Sequence, residues 1–119
     1  MKNHIVWCDI PVKDIDRAVT FYSAILGINI EKQSWEGTAI AAFESKDGVG
    51  GCLCVTNDSK PSAEGPLIYL NCEGRLDEAA ATVVKNGGKI LKAKHQIGPY
   101  GFRAVVLDSE GNRIALHST

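Results

Sequence analysis

Two pairs of sequence signals share one spacing, and this repeat limits the possible folds more than any other feature of the chain. Asp16-Arg17-Ala18 and Asp77-Glu78-Ala79 lie 61 positions apart, and the same offset separates Gly27 from Gly88. In each half, the first signal opens a predicted helix and the glycine ends it. A start and a stop with one common offset indicate an internal duplication. We expect the 119 residues to form a single domain, because each half is too small to bury a helix and a sheet face alone.

The first half predicts a strand, a helix and three further strands. Residues 4–12 are rich in β-branched and aromatic side chains and contain Pro11 near their end, as is typical of a strand. Asp14 is a favourable helix N-cap, and Gly27 is a favourable stop. Apolar residues recur between them at helical spacing, namely Ile15, Ala18, Val19, Tyr22, Ile25 and Leu26. The later strands are predicted at 28–35, 38–43 and 51–55, with turns at Glu36-Gly37 and Asp47-Gly48.

The second half repeats this order. A strand is predicted at 67–72 and a helix at 75–85, whose inner side carries Leu76, Ala79, Ala80, Val83 and Val84. Further strands are predicted at 89–92, 102–107 and 113–117. Module one (1–57) and module two (66–119) are joined by a polar linker at 58–65. Each helix must cover one face of its own sheet. The predicted fold class is therefore α+β, with two βαβββ modules whose curved mixed sheets surround a cleft and whose helices lie outside.

Composition and charge argue against several classes of partner. Hydrophobic residues make up 45% of the chain and charged residues 23%, as in an ordinary soluble domain. The net charge of -1 gives no basic stripe, so we expect no nucleic-acid partner. It does not favour a cationic ligand either, although a local cleft can carry its own field. No apolar run reaches the roughly 20 residues of a membrane span, and the N-terminal residues lack a signal-peptide core, so a cytoplasmic protein without a membrane partner is expected.

The four cysteines are expected to be thiols in a reducing cytosol. Cys52 and Cys54 form a Cys-x-Cys pair, and residues two apart on a strand share a face, so the pair offers a chelate for a soft metal. No second pair completes a tetrahedral site, however, and buried cysteine acts as a small hydrophobe. We expect packing as the main role of both thiols.

Motifs at both ends of the chain resemble one superfamily. Residues 10–18, Phe21-Tyr22 and Leu26-Gly27 resemble the opening of the vicinal oxygen chelate superfamily, which includes glyoxalase I, bleomycin resistance proteins and extradiol dioxygenases. Residues 107–116 resemble its terminal turn and last strand, and Gly87-Gly88 also fits the pattern. The resemblance covers essentially the whole chain. It implies the same fold, a small organic ligand, lyase or isomerase chemistry in a glyoxalase-like enzyme, and a homodimer with swapped or unswapped modules.

The resemblance also implies where a divalent metal would bind. In metal-dependent members, four His, Glu or Gln side chains hold it on the inner face. Three of these positions correspond to Trp7, Leu67 and Ala115, and the fourth lies within 52–54. Indole and alkyl side chains cannot donate to a divalent cation. We therefore expect no cofactor at the usual site, while a metal held by other side chains stays open.

Strand parity predicts which side chains face the cleft. If Trp7 faces the cleft, Asp9 on the same strand also does. If Ala115 faces it, so do Arg113 and His117. The corresponding residues of the fifth strand are Leu67, Tyr69 and Asn71. The predicted ligand-binding residues are Trp7, Asp9, Tyr69, Asn71 and Arg113, and His117 is the candidate catalytic base.

Structural roles stay open for the same residues. Trp7 and Tyr69 could instead be core side chains. Asp9 and Arg113 could form an internal ion pair, and His117 could be a solvated imidazole without a catalytic role. The loop at 98–101, flanked by His95, Tyr100 and Arg103, is either a lid or an ordinary polar loop. Glu110, in the terminal turn, is expected to be solvated.

Three functions are consistent with these residues, and whether the protein is an enzyme stays open. The first is a metal-independent binding protein or enzyme for a small organic molecule, using Trp7, Tyr69, Arg113 and His117. The second is a glyoxalase-like lyase or isomerase that recruits a metal through Asp9, His117 or Cys54. The third is a drug-sequestering protein resembling bleomycin resistance proteins, in which dimer clefts hold a bulky cation.

Overall fold

Two four-stranded sheets with the same strand order form the framework of the protein. The computed structural model describes residues 3–45 and 49–119, so the predicted turn at Asp47-Gly48 lies outside the described residues. The elements are β1 (Asp9–Pro11), α1 (Ile15–Leu26), β2 (Gln33–Trp35), β3 (Thr38–Phe43), β4 (Gly51–Cys54), β5 (Ile68–Asn71), α2 (Leu76–Lys85), β6 (Lys89–Gln96), β7 (Phe102–Leu107) and β8 (Arg113–Ser118). The sheet orders are β1-β4-β3-β2 and β5-β8-β7-β6. This repeated order confirms the predicted α+β fold of two βαβββ modules.

Helix α1 coincides with its predicted span because both end signals act as expected. The Asp14 side chain accepts a hydrogen bond of 3.0 Å from the backbone N–H of Arg17, and Gly27 ends the helix in a left-handed conformation with φ 66°. The buried residues of α1 are Ile15, Ala18, Phe21, Tyr22 and Ile25. Phe21 is an addition to the predicted stripe, whereas Val19 and Leu26 pack only partly against the core.

Helix α2 has a narrower buried stripe than predicted. It begins at Leu76, with Arg75 as the N-cap, and buries Leu76, Ala79 and Val83. Val84 was predicted to lie on the inner side, but 66% of it is exposed. Successive residues of an α-helix are rotated by about 100° about the helix axis, so Val84 lies outside the stripe that buries Val83.

Strand lengths differ from the predictions at sheet edges. β1 is an edge strand that pairs only with β4, and it is shorter than the predicted 4–12. Residues 4–7 are exposed and precede the first backbone bond to β4, from Cys52 N–H to the Cys8 carbonyl at 2.9 Å. β2 covers only the end of the predicted 28–35, whereas β6 is longer than predicted because it continues along β7 through two register shifts. The turn at Glu36-Gly37 is confirmed, with positive φ values of 49° and 78°.

The two modules share one apolar core in which the helices touch each other. Gly88 allows this close approach, because a Cβ atom there would lie 2.7 Å from Phe21 and 2.8 Å from Val83. The second glycine of the repeat is therefore required by packing between modules. Each helix covers one face of its own sheet, and the opposite face of each sheet is left to line clefts. Neither described helix has the length and apolar character needed to cross a membrane.

A buried polar turn between β7 and β8 holds the modules together. Glu110 was expected to be solvated, but it is buried and forms an ion pair with Arg17 of α1, with 2.7 Å between Nε and Oε2. It also accepts hydrogen bonds of 2.9 Å from the backbone N–H groups of Lys13 and Asp14. Burial alone would raise the pKa of Glu110, but these donors and Ser109 outweigh it and lower the pKa to about 2. The orphan N–H groups before α1 explain why the carboxylate is buried here.

Candidate functional site

The open face of the first sheet carries one polar row across β1 and β4. Asp9 lies opposite Cys52, and Cys52 lies opposite Ala42 of β3. Leu53, between the two cysteines, points into the core and is fully buried. Because strand side chains alternate, Asp9, Cys52 and Cys54 occupy the face away from α1.

This face forms the floor of a cleft of about 1030 Å³, which we call the first-sheet cleft. Two tryptophans form part of its walls: Trp7 is 44% exposed and Trp35 is 64% exposed. Exposed indoles next to a concave surface offer flat apolar contact area to a ligand. The cleft extends to residues 56–58, at the start of the linker.

The lining of the first-sheet cleft is acidic. Its carboxylates come from β1, from the β2–β3 turn, from the residue after β3 and from the start of the linker; they are Asp9, Glu36, Glu44 and Asp58. Its described lining residues include no Lys, Arg or His. None of the four carboxylates forms an ion pair within residues 3–45 and 49–119. The nearly neutral chain, with a net charge of -1, therefore contains a cleft whose described charged side chains are all acidic.

A second cavity, of about 820 Å³, lies between the edge strands of the two modules and is called here the intermodule cavity. Four of the five predicted ligand-binding residues line it, namely Trp7, Asp9, Tyr69 and Arg113. Much of the rest is apolar and includes Ile5, Val49, Leu67 and Ile68. Trp7 and Asp9 line both the first-sheet cleft and the intermodule cavity, so they lie at the junction between the two.

Asp9 is held by its neighbours rather than by Arg113. The indole Nε1 of Trp7 donates a hydrogen bond of 3.0 Å to Asp9 Oδ1, and Cys52 Sγ lies 3.6 Å from the same oxygen. An ion pair between Asp9 and Arg113 is not present in the described part of the chain, although both line one cavity.

The open face of the second sheet carries a separate, basic set of residues. Arg103 donates hydrogen bonds to the Tyr69 hydroxyl at 2.5 Å and to His95 Nε2 at 3.0 Å. His117 Nε2 lies 2.6 Å from the Tyr100 carbonyl, and its ring meets that of Tyr69 edge to face. The loop at 98–101 thus contacts the predicted base directly.

Asn71 and His117 stand apart from the other predicted site residues. They are paired across β5 and β8, which places them on the same face as Tyr69 and Ala115. Neither residue lines the first-sheet cleft or the intermodule cavity. The Asn71 side chain accepts a hydrogen bond of 2.9 Å from the backbone N–H of Glu73 and so stabilises a local turn.

The two thiols of the first-sheet cleft are poor nucleophiles in the free protein. Burial, together with the neighbouring Cys54 and Asp9, raises the pKa of Cys52 to about 12. Burial also raises the pKa of Cys54, with Asp9 adding to the effect. Both sulfurs are therefore protonated at neutral pH, which argues against thiolate catalysis.

Comparison with known proteins assigns the chain to a family. The family model described as the Glyoxalase/Bleomycin resistance protein/Dioxygenase superfamily matches residues 3–116. The chain belongs to this superfamily. A comparison with curated proteins yields no match.

Solved structures of low sequence identity have the same superfamily fold. A glyoxalase/bleomycin resistance protein from Albidiferax ferrireducens is 16% identical, with a TM-score of 0.80 over 98% of this chain and 99% of that one. A glyoxalase-related enzyme from Fulvimarina pelagi is 14% identical, with a TM-score of 0.71 over 100% and 89%. A genomically encoded fosfomycin resistance protein from Listeria monocytogenes is 17% identical, with a TM-score of 0.70 over 98% and 94%. At this identity the likeness concerns the fold alone.

Three of the four positions that the superfamily resemblance gives to metal ligands do not fit a divalent metal here. Trp7 presents an indole N–H, which is already donated to Asp9, and Leu67 and Ala115 carry no donor atom. No step can therefore be derived through a metal at those positions. The residues that analysis of the sequence missed are Trp35, Glu36, Glu44 and Asp58, which line the first-sheet cleft from turns and strand ends.

Proposed function

We propose that the protein binds a flat organic cation in the first-sheet cleft and holds it without changing it chemically. The charge of the cleft is the main support, because four carboxylates line it and its described lining includes no basic residue. A concave surface whose charges all have the same sign concentrates the electric field and raises the local concentration of ions of the opposite charge. The superfamily name includes bleomycin resistance proteins, so binding without chemistry suits a member of this family.

The two tryptophans favour a flat, aromatic cation over a small inorganic one. A cation near an indole face gains about 0.5–2 kcal/mol, depending on how far it is removed from water. Trp7 and Trp35 line the same cleft as the carboxylates, and both are exposed to it. A ligand that combines ring surface with positive charge uses both features together.

A matched pair of dyes tests the charge requirement. N-methylacridinium and N-methylacridone share one ring skeleton, but only the first is a cation. At a concentration 100 times its Kd, a ligand adds about 2.7 kcal/mol to the free energy of unfolding. We expect N-methylacridinium to raise the Tm by about 5 °C or more and N-methylacridone to leave it unchanged. Equal shifts with both dyes, or none with either, would overturn the proposal.

Pairing of two copies is part of the same proposal. The open face of the first sheet is acidic, whereas that of the second carries His95, Arg103, Arg113 and His117. Ile5 and Val6, which precede Trp7 in the chain, add exposed apolar surface. Opposite charges on two faces of one chain allow each face to meet the other face of a second copy.

An enzymatic function is the second candidate, supported by the orientation of His117. A backbone carbonyl only accepts hydrogen bonds, so the 2.6 Å contact with Tyr100 places a proton on Nε2 and leaves Nδ1 as a base in the neutral ring. Such a base suits proton abstraction next to a carbonyl. Exchange of the methyl protons of pyruvate with D₂O, followed by NMR, tests this. Catalysis by the protein that falls at least about 100-fold in His117→Gln supports the enzyme, and no exchange above buffer rejects it.

A further inference from the structure

The floor of the first-sheet cleft brings three metal-ligating side chains together. Cys52 Sγ, Cys54 Sγ and a carboxylate oxygen of Asp9 all lie within 4.8 Å of one another. All three residues line the same cleft. Cys52 and Cys54 are two residues apart on β4, and Asp9 of β1 is the cross-strand partner of Cys52. The backbone pairing of the sheet therefore fixes the spacing of the three residues.

We propose that Asp9, Cys52 and Cys54 form a binding site for a thiophilic divalent cation of the zinc class, with a fourth coordination position open to the cleft. This site lies wholly within the first module. It overlaps the superfamily's ligand set only at the position within 52–54, uses none of Trp7, Leu67 and Ala115, and goes beyond the binding of an organic cation.

The distances match those of a tetrahedral zinc site. Bond lengths of about 2.3 Å to sulfur and about 2.1 Å to oxygen, at tetrahedral angles, give about 3.6 Å between a sulfur and an oxygen ligand. The distance from Cys52 Sγ to Asp9 Oδ1 is 3.6 Å. The same geometry requires about 3.8 Å between two sulfurs, and the sulfur atoms already lie within 4.8 Å. Small side-chain rotations are therefore sufficient for binding.

The donor set selects the class of metal. Two thiolates exclude Mg²⁺ and Ca²⁺, which prefer oxygen ligands, and a carboxylate disfavours Cu⁺, which prefers sulfur alone. Zn²⁺ accepts both donor types. Binding replaces a proton on each thiol, so one Zn²⁺ binds and two protons are released to solvent. The three anionic ligands and the divalent metal together carry one net negative charge.

Trp7 supports the site from outside the coordination shell. Its Nε1–H bonds Asp9 Oδ1 at 3.0 Å and fixes the orientation of the carboxylate. Removal of such an outer partner typically lowers metal affinity 10–100-fold. Trp7→Phe, which keeps the aromatic ring and removes the donor, is therefore expected to weaken Zn²⁺ binding about tenfold.

The test uses the full chain, reduced with a non-chelating phosphine and titrated with Zn²⁺ against a chromophoric chelator. We expect one Zn²⁺ per chain, lost in C52A/C54A and retained in the matched control C8A/C72A. Co²⁺ provides a readout that needs no variant, because two thiolate ligands produce sulfur-to-cobalt charge-transfer absorption. Failure of wild-type protein to bind Zn²⁺ or to show this absorption would overturn the site. So would unchanged binding in a folded C52A/C54A variant.

Failure of this site and failure of the organic-cation proposal are distinguishable. C52A/C54A removes both sulfur ligands and leaves Glu36 and Asp58 in place, whereas E36Q/D58N does the reverse. We expect the first variant to lose Zn²⁺ and retain N-methylacridinium, and the second to retain Zn²⁺ and bind the dye more weakly. Loss of Zn²⁺ binding in E36Q/D58N would contradict a site made of Asp9 and the two thiols.

Discussion

The indole Nε1 of Trp7 donates a hydrogen bond of 3.0 Å to Oδ1 of Asp9, at the junction of the first-sheet cleft and the intermodule cavity. This bond joins the exposed aromatic wall of the first-sheet cleft to Asp9, which among residues 3–45 and 49–119 is the one carboxylate residue that lines both spaces. It orients the acid while leaving the indole face open. The pair therefore combines an aromatic face with a negative charge, the two features that the proposed cation would use.

Removal of the Trp7 indole should weaken cation binding. Trp7→Ala is expected to lower the affinity for N-methylacridinium about tenfold, since a desolvated cation–indole contact contributes up to about 2 kcal/mol. Fluorescence anisotropy of the dye measures the change. Tyr100→Ala is the matched control, because Tyr100 is a highly exposed aromatic residue outside the first-sheet cleft. An equal loss in both variants would contradict the role of Trp7.

The Arg17–Glu110 pair should stabilise the fold far more than an exposed pair does. Glu110→Gln is expected to cost about 3 kcal/mol of unfolding free energy, because it leaves a buried set of donors facing a neutral group. Urea denaturation followed by circular dichroism measures the loss. Lys32→Met, which breaks the 3.0 Å surface pair with Asp16, is the control and is expected to cost about 0.5 kcal/mol or less. A cost for Glu110→Gln as small as that of the control would show that the buried pair is dispensable.

Glu110 should also make the fold sensitive to acid. Its pKa is lowered in the folded protein from the usual 4.5 to about 2, so the unfolded chain takes up this proton first. The stabilisation is complete above the ordinary glutamate range and is lost progressively as the pH falls from about 4.5 to about 2. Unfolding free energies measured across this window are expected to decline more steeply for wild type than for Glu110→Gln. Parallel declines would contradict the assignment.

Sequence signals predicted both ends of α1, but they did not predict features that depend on contacts between distant parts of the chain. Asp14 and Gly27 are local end signals, so α1 has its predicted bounds. Residues 4–8 have strand-like composition but mostly lack a partner strand, and composition alone cannot reveal that. Glu110 belongs to a turn and is charged, so exposure was the reasonable expectation; its burial depends on donors more than 90 positions away along the chain.

The candidate site was likewise predictable only where it depends on a single strand. Parity along one strand was sufficient to place Trp7 with Asp9, and Cys52 with Cys54, on common faces. The acidic character of the first-sheet cleft was not predictable, because Glu36 and Asp58 come from a turn and a linker. Only the folded positions of those segments bring their charges to the same wall.

Pairing of acidic and basic faces should depend on charge. Charge reversal in R103E/R113E is expected to shift a dimer to monomer in sedimentation velocity at low salt, because like charges then face each other. Lys85→Glu is the control, since Lys85 is an exposed residue on α2 rather than on a sheet face. Added salt is expected to weaken the wild-type dimer through screening. A monomeric wild type at all concentrations would contradict this pairing.

Calorimetric titration with the two acridine dyes measures whether the first-sheet cleft selects its ligand by charge. The comparison is between wild type, E36Q/D58N and the control E31Q/E78Q, which has the same net charge but leaves the cleft acids intact. We expect wild type and the control to bind N-methylacridinium equally, E36Q/D58N to bind it about tenfold more weakly, and none of them to bind N-methylacridone measurably. Equal affinity of wild type and E36Q/D58N for the cation, or comparable binding of the neutral dye, would contradict a cleft that selects its ligand by charge.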